Sequence, residues 1–371
     1  VTVFYGSETG LSSFNKWLAY CRQTGARFGS ALAAGDFDGD GYDDIAVAAY
    51  GFDRGQTNEG AVFVWYGSSS GLNGGTNGDT TNYGWIAESN QDYASMGGSY
   101  GLATGDFNGD GYDDIAVGIP NFNRGETDEG VVMVWYGSWL GLNGGTNGDT
   151  TNFDWIAESN QSYAKMGECI STGDFNGDGY DDIAISASDY SDPQSYEGAV
   201  FVWYGSGTGI NNGTNGNPSN CNWKAESDQT WASMYQCASG DFNGDNYDEI
   251  LVGAIYYTHG EYYEGMVFMW EGSASGLNNG VNGDTTNYSW IAESNEAYSD
   301  YSSWFGYSVA YGDFNNDGYM DIAVGAPYLS HGEYCEGAVF VWYGTADGFE
   351  NRETGNPLNC DWMAESNQSE A

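Results

Sequence analysis

The chain has 371 residues and carries 53 acidic side chains against 8 Lys plus Arg, for a formal charge of -45 and a pI near 4.1. A surface of that sign repels polyphosphate, which argues against nucleic acid and against anionic membranes as partners. Disorder is excluded as the source of the acidity by 14 Trp, 30 Tyr and 17 Phe, and no apolar run reaches the roughly 18 residues of a membrane-spanning helix.

Read in chain order, the sequence opens at Val1 without an initiator Met or a recognisable signal segment, as a processed mature protein or a fragment would. The first marker is an apolar string ending in Gly. It begins at Val1 as VTVFYG and returns at Ala61, Val131, Ala199, Met266 and Ala338. The second is W-x-A, at Trp17, Trp85, Trp155, Trp223, Trp290 and Trp362. A third begins GDF, with its Asp at Asp36, Asp106, Asp174, Asp241 and Asp313, spaced by 70, 68, 67 and 72 residues. Periods of this length define repeats of one supersecondary unit each.

Each unit reads as four short strands: one entering GDF, one after the acidic loop, one at VFVWYG and one at W-x-A. In the third strand Val62 and Val64 alternate with Phe63 and Trp65, so both faces are apolar and both must be covered. Small sheets packed radially meet that demand, whereas a two-layer sandwich would expose one polar face of each sheet. The fold class is therefore all-β, a β-propeller of four-stranded blades, with repeats at about 1–25 (partial), 26–90, 91–160, 161–228, 229–295 and 296–371. The partial unit supplies only a third and a fourth strand. Three arrangements are open: the pair docks on the last blade or stands as a partial sixth, the chain is part of a longer propeller, or the pair meets a neighbouring molecule.

The GDF loops place acidic or amide side chains at positions 1, 3, 5 and 9, with Gly or Asn at position 6 and an aromatic at position 7. Oxygens at alternate positions of a tight loop converge on one hard cation, with the aromatic residue giving its backbone carbonyl. The first loop offers Asp36, Asp38, Asp40, Tyr42 and Asp44, and the second Asp106, Asn108, Asp110, Tyr112 and Asp114. The third offers Asp174, Asn176, Asp178, Tyr180 and Asp182. In the fourth, Asp241, Asn243, Asp245 and Tyr247 are followed by Glu249, and Asn246 stands where the others have Gly. The fifth offers Asp313, Asn315, Asp317, Tyr319 and Asp321. An EF-hand is excluded because position 12, which would need a bidentate Glu, is held by Val47, Val117, Ile185, Val252 and Val324. About five structural Ca²⁺ ions are expected, calcium being preferred to magnesium by a flexible loop with many protein oxygens. These loops hold 20 of the 53 acids.

The fifth unit, with Phe305-Gly306 before its loop and Gly325-Ala326-Pro327 after it, resembles the FG-GAP repeat of the integrin alpha-subunit propeller. Phe28-Gly29, Met166-Gly167 and Gly118-Ile119-Pro120 match in part. The resemblance covers essentially the whole chain. It implies a calcium-stapled extracellular propeller, secreted or at the cell surface, that binds protein or glycan ligands. The family ring commonly has seven blades, which the repeat count here does not reproduce.

Other features have plainer readings. Glu59, Glu129, Glu197, Glu264 and Glu336, each followed by Gly, read as repeated hydrogen-bond caps, as do the Glu of W-x-A-E: Glu88, Glu158, Glu226, Glu293 and Glu365. Tyr93, Tyr163, Trp231 and Tyr298 recur after the fourth strand and read as inter-blade packing. In related propellers their loops share the ligand face with those holding Phe52, Phe122, Tyr190, Tyr257 and Tyr328. The Gly-Asn-Thr loops after Ser70 and Leu140 read as ordered turns. Asn160, Asn212, Asn287 and Asn367 head glycosylation sequons. Six cysteines without a C-x-x-C pair allow up to three disulfides or buried free thiols. His259 and His331, the only histidines, occupy equivalent loops, and no nucleophile elbow, phosphate loop or zinc motif is present, so no enzyme activity is expected. A binding module, a subunit of an extracellular filament or layer that self-assembles through the unmatched strand pair, and a glycan-active enzyme with a concealed carboxylate pair are the three functional classes in play.

Overall fold

The computed structural model describes every residue except 8–9, 12–14, 99, 296–301, 347, 350–352, 367 and 369–371. The chain folds into consecutive antiparallel sheets, each made from one repeat. Blade 1 comprises strands Phe28–Gly35, Asp44–Ala49, Ala61–Trp65 and Trp85–Glu88, and blade 2 Leu102–Gly105, Asp114–Ile119, Val131–Trp135 and Trp155–Glu158. Blade 3 comprises Met166–Gly173, Asp182–Ala187, Ala199–Trp203 and Trp223–Glu226. Blade 4 comprises Met234–Gly240, Glu249–Ala254, Met266–Trp270 and Trp290–Glu293. Blade 5 comprises Ser308–Gly312, Asp321–Ala326, Ala338–Trp342 and Trp362–Glu365. The second and third strands of blades 1 to 4 are buried on both faces, as their two-sided apolar pattern requires.

The N-terminal pair, Thr2–Phe4 and Lys16–Tyr20, does not join blade 5. It stands as a partial sixth sheet against blade 1, completed by Gly78–Asp79 from the loop that follows blade 1's third strand. Trp17 explains the placement: it is buried edge-on against Trp65, ring centroids 5.5 Å apart, and its indole N–H donates to the Thr76 carbonyl at 2.7 Å.

That joint repeats along the chain. The fourth-strand Trp of each sheet meets the third-strand Trp of the next blade: Trp85 with Trp135, Trp155 with Trp203, Trp223 with Trp270 and Trp290 with Trp342, at 5.5–5.7 Å in edge-to-face contact. The indole N–H groups of Trp85, Trp155 and Trp223 cross the joint to the carbonyls of Thr146, Thr214 and Val281, each at 2.8 Å. The accepting loop also adds a parallel bridge to the fourth strand, as in Gly148–Asp149 against Ala87 and Glu88.

The Gly-Asn-Thr loops are ordered. Each forms a short 3-10 turn in blades 1 to 4, and in all five blades an Asn of the loop accepts from the third-strand Trp, as Asn152 does from Trp135 at 3.2 Å. All six cysteines are unpaired; the Cys169 and Cys237 thiols lie 3.3 Å apart between the first strands of blades 3 and 4. Among the described residues no helix is long and apolar enough to cross a membrane.

The Trp joint generates a paired prediction. Trp155→Ala removes a fully buried ring together with a cross-blade hydrogen bond, and is expected to cost about 3–5 kcal/mol in urea denaturation. Trp362→Ala, at the equivalent position of blade 5 but half exposed, is expected to cost less than about 1 kcal/mol. Equal losses would remove the joint from its structural role.

Candidate functional site

The five acidic loops join the first and second strands of their blades, at one end of the sheets. The turn is built by the loop's own carboxylates. Asp36 accepts from the amides of Asp40 and Gly41 at 3.1 and 2.8 Å, Asp38 from Asp40, and Asp40 from Tyr42. Residue 6 of the loop has a left-handed backbone, φ 86° at Gly41, and Asn246 reaches the same region at φ 70°, which is why Asn can replace Gly there. Oxygens of Asp36, Asp38 and Asp40 come within 4.8 Å of one another. The equivalents in loops 2, 4 and 5 converge as well: Asp106 with Asn108, Asp241 with Asn243, and Asp313 with Asn315 share the amide of the Asp at position 5. In the third loop Asp174 alone holds the Asp178 amide, at 3.0 Å.

Position 9 differs from the other three. Asp44, Asp114, Asp182 and Asp321 are buried, and each accepts one amide from its own loop and one from the Gly two residues past the third strand, as in Phe37 N–H and Gly67 N–H to Asp44. Each oxygen keeps a second lone pair for a cation. Burial pushes Asp44 up to about 7 and both Asp114 and Asp182 up to about 9, against the lowering effect of those amides. Glu249, whose longer side chain accepts from Phe242 and Asn243, rises to about 8 for the same reason. A cation in the loop would favour the ionised forms and release protons.

Position 8 carries a role that no single repeat discloses. Asp113, Asp181 and Asp248 reach back to the preceding blade and accept the amides of Asp36, Asp106 and Asp174, each at 2.8 Å. The Tyr at position 7 covers the preceding loop, Tyr112 lying against Gly39 where a Cβ would sit 2.6 Å from its ring. Successive loops are thus chained together. The fifth breaks the chain, with Met320 at position 8.

The other end of the sheets carries the loops between second and third strands and those leaving the fourth. The two are tied within each blade, as Tyr93 N–H to Thr57 O at 2.7 Å and Tyr163 N–H to Thr127 O at 2.7 Å show. The aromatics of the loops leaving the fourth strand do not pack between blades, whereas Phe122 and Tyr190 of the other loops do. Tyr93, Tyr163 and Trp231 are exposed, because each has a left-handed backbone, φ 61° to 67°, fixed by that tie, and Trp231 stacks on Tyr196 at 4.4 Å. Phe122 and Tyr190 in the partner loops are buried instead, while Tyr328 is exposed. Tyr298 and Asn367 lie outside the described residues.

The residue five before the Gly of GDF is Ser30, Tyr100, Glu168, Tyr235 or Tyr307, and three of the five come together although they lie in different blades. Tyr235 and Tyr307 stack at 5.5 Å, and Tyr100 meets both edge-on at 6.1 and 6.3 Å. Beside them opens a cleft of about 270 Å³, lined by Glu168, Asp189 and Lys165 and by Tyr235, Tyr256, Trp304 and Tyr307. Burial raises the carboxyls of Glu168 and Asp189, and takes Tyr100 up to about 12. The signal for this position was a period in the sequence, but its residue types vary from blade to blade.

A family model described as the FG-GAP repeat matches residues 28–65, 99–135, 167–203, 235–268 and 305–342, the first three strands of all five blades. The chain is an FG-GAP repeat protein. Integrin alpha pat-2 of Caenorhabditis briggsae is 28% identical over 351 residues, covering 88% of this chain and 25% of its own length. Phosphatidylinositol-glycan-specific phospholipase D of Homo sapiens is 28% identical over 221 residues, 58% of this chain and 25% of its own. The chain therefore spans about a quarter of the curated relatives it matches. Among solved structures, the Dos1 propeller aligns over 91% of this chain and 62% of its own at TM-score 0.46 and 12% identity. In FG-GAP terms, the glycine after Met166 and the one in Gly118-Ile119-Pro120 face each other across the joint of blades 2 and 3. A Cβ on Gly118 would lie 2.0 Å from the Gly167 carbonyl, so the backbones meet there at a distance that leaves no room for a side chain.

Proposed function

We propose that this FG-GAP propeller is an extracellular calcium-binding interaction module. In this reading Ca²⁺ in the five Asp loops rigidifies one end of the propeller, and the opposite end binds protein or glycan ligands. The observation that carries it is the division between the two ends: converging carboxylates chained from blade to blade at one, and an aromatic cleft with an acidic edge together with exposed Tyr93, Tyr163 and Trp231 at the other. Aromatic faces stack on sugar rings and, beside Glu168 and Asp189, hold cationic side chains. The similarity to integrin alpha subunits supports the reading at the level of class. The similarity to the phospholipase D reaches only a quarter of that enzyme and does not favour catalysis.

Calcium at tenfold above its Kd adds about 1.4 kcal/mol per site by mass action. Calorimetric melting is expected to show a lower Tm in chelator than in calcium, and titration to show about five ions per chain. An unchanged Tm would remove calcium from the fold. For the ligand, a glycan array and a panel of Arg- and Lys-containing peptides are the probes. Tyr307→Ala and Glu168→Gln are each expected to weaken the hits by about tenfold or more, the scale of an interface hot spot. Hits indifferent to both changes would place the ligand elsewhere.

A second reading, a self-assembling structural subunit, is favoured by one face of blade 5. Val339 and Trp362 are 42% and 50% exposed, whereas Val62 and Trp85 at the same positions of blade 1 are fully buried by blade 2. On the N-terminal pair, Phe4 stands where blade 1 has Trp65 and is 45% exposed. A second copy's N-terminal pair would cover the blade 5 face in the manner of a blade joint. Sedimentation in calcium would then show concentration-dependent association that Trp362→Glu abolishes; monomers at all concentrations would overturn it.

A further inference from the structure

The glutamate before each third strand does more than cap a turn. One oxygen of Glu264 accepts the amides of His259 and Glu261, at 2.8 and 3.2 Å. Its other oxygen, Oε2, is buried with no hydrogen-bond partner among the described residues, and the whole residue is inaccessible. A buried carboxylate oxygen left unpaired is costly, and a positive charge or a metal ion beside it relieves that cost.

Every blade places a nitrogen-bearing side chain opposite its W-x-A-E glutamate. In blades 1 and 2 it is an arginine five residues before the cap: Arg54 lies 3.6 Å from Glu88, and Arg124 lies 3.3 Å from Glu158. In blade 3 that position is Asp192, and Lys224 from the fourth strand reaches both Asp192 and Glu226, at 3.5 and 2.9 Å. In blades 4 and 5 the position is histidine. His259 Nδ1 lies 2.6 Å from Glu293 Oε2, and His331 Nδ1 lies 2.8 Å from Glu365 Oε2.

The change of residue changes the chemistry. A guanidinium or ammonium can only donate, whereas a neutral imidazole offers a lone pair to a metal. In each of the two blades the ligand atoms of three residues lie within 4.8 Å of one another: His259, Glu264 and Glu293 in blade 4, and His331, Glu336 and Glu365 in blade 5. The histidine is half exposed and the cap glutamate buried, so the site opens to solvent on the imidazole side. One imidazole nitrogen with two carboxylates suits a borderline transition ion of the Zn²⁺ class, while calcium prefers sites made of oxygen alone.

We propose that blades 4 and 5 each bind one transition-metal ion of the zinc class through these triads, at the end opposite the Asp loops. The ion takes the place that a fixed Arg or Lys occupies in blades 1 to 3. Zinc is then taken up in the presence of saturating calcium, at sites that calcium does not fill.

The test is zinc chloride titrated into the full chain in excess calcium, followed by calorimetry and by metal analysis after gel filtration. Uptake of two zinc ions per chain is expected. His259→Arg and His331→Arg, which reproduce blades 1 and 2, should each remove one ion while leaving circular dichroism and Tm in calcium unchanged. Glu293→Gln and Glu365→Gln, which keep side-chain shape, provide a second route and should each weaken one site by at least about tenfold. Native protein that takes up no zinc, or a double arginine variant that takes up as much as the native chain, would overturn the assignment.

Discussion

The joint between neighbouring blades is the constraint on which the rest of the molecule depends. A four-stranded sheet with two apolar faces cannot be stable alone; it must find a neighbour on each side. Here the neighbour is held by a tryptophan wedge, in which the fourth-strand ring of one blade lies edge-on to the third-strand ring of the next and its N–H is satisfied by that blade's loop. The ring supplies buried area and the N–H fixes the register. Because both come from the same side chain, neighbouring blades have one way to sit together.

With the blades held in place, the two ends of the propeller divide the chemistry. At one end, each Asp loop bonds its own amides and then reaches back to the preceding loop through Asp113, Asp181 or Asp248, so charge that would be repulsive in a single loop becomes part of a chain of contacts. At the other, the loops are tied pairwise, which turns Tyr93, Tyr163 and Trp231 outward and leaves the stacked tyrosines to close around the cleft. The same end holds the cap glutamates, whose second oxygen at Glu59, Glu197 and Glu264 is buried without a hydrogen-bond partner among the described residues. Opposite the W-x-A-E glutamate beside them the nitrogen group is Arg, Lys or His according to blade, a local choice on a common frame.

Much of this was legible in the residues. The GDF strings, the two-sided apolar third strand and the recurring Trp announced blades and tight acidic loops, because each is a short-range pattern: alternating side chains on a strand, and alternating oxygens in a turn. The cap role of Glu59 and its equivalents was legible too, since it is closed within five residues. What escaped were relations between repeats. Asp181 reads as one more acid of its own loop, yet its partner is Asp106 in the preceding blade. Tyr100, Tyr235 and Tyr307 share a period with Ser30 and Glu168, and nothing in one repeat shows that the three tyrosines meet. Tyr93 and Tyr163 looked like packing residues because aromatics usually are; a backbone tie to the neighbouring loop sends them outward.

By itself the sequence determined the blade: four strands, which faces are apolar, where the oxygens of each loop gather, and that five such units follow a partial one. Each of these follows from contacts within about seventy residues, the length of one repeat. Only the tertiary structure decided where the partial unit sits, which carboxylates clasp a neighbour, and which aromatics face solvent. It also brought His259 beside Glu293 and His331 beside Glu365, residues more than thirty positions apart that meet because the second-to-third-strand loop and the end of the fourth strand lie at the same end of one sheet. Periodicity specifies a unit, but the side that a neighbouring blade or loop covers is a property of packing, and identical residues take different roles where that neighbour is absent, as Trp85 and Trp362 do.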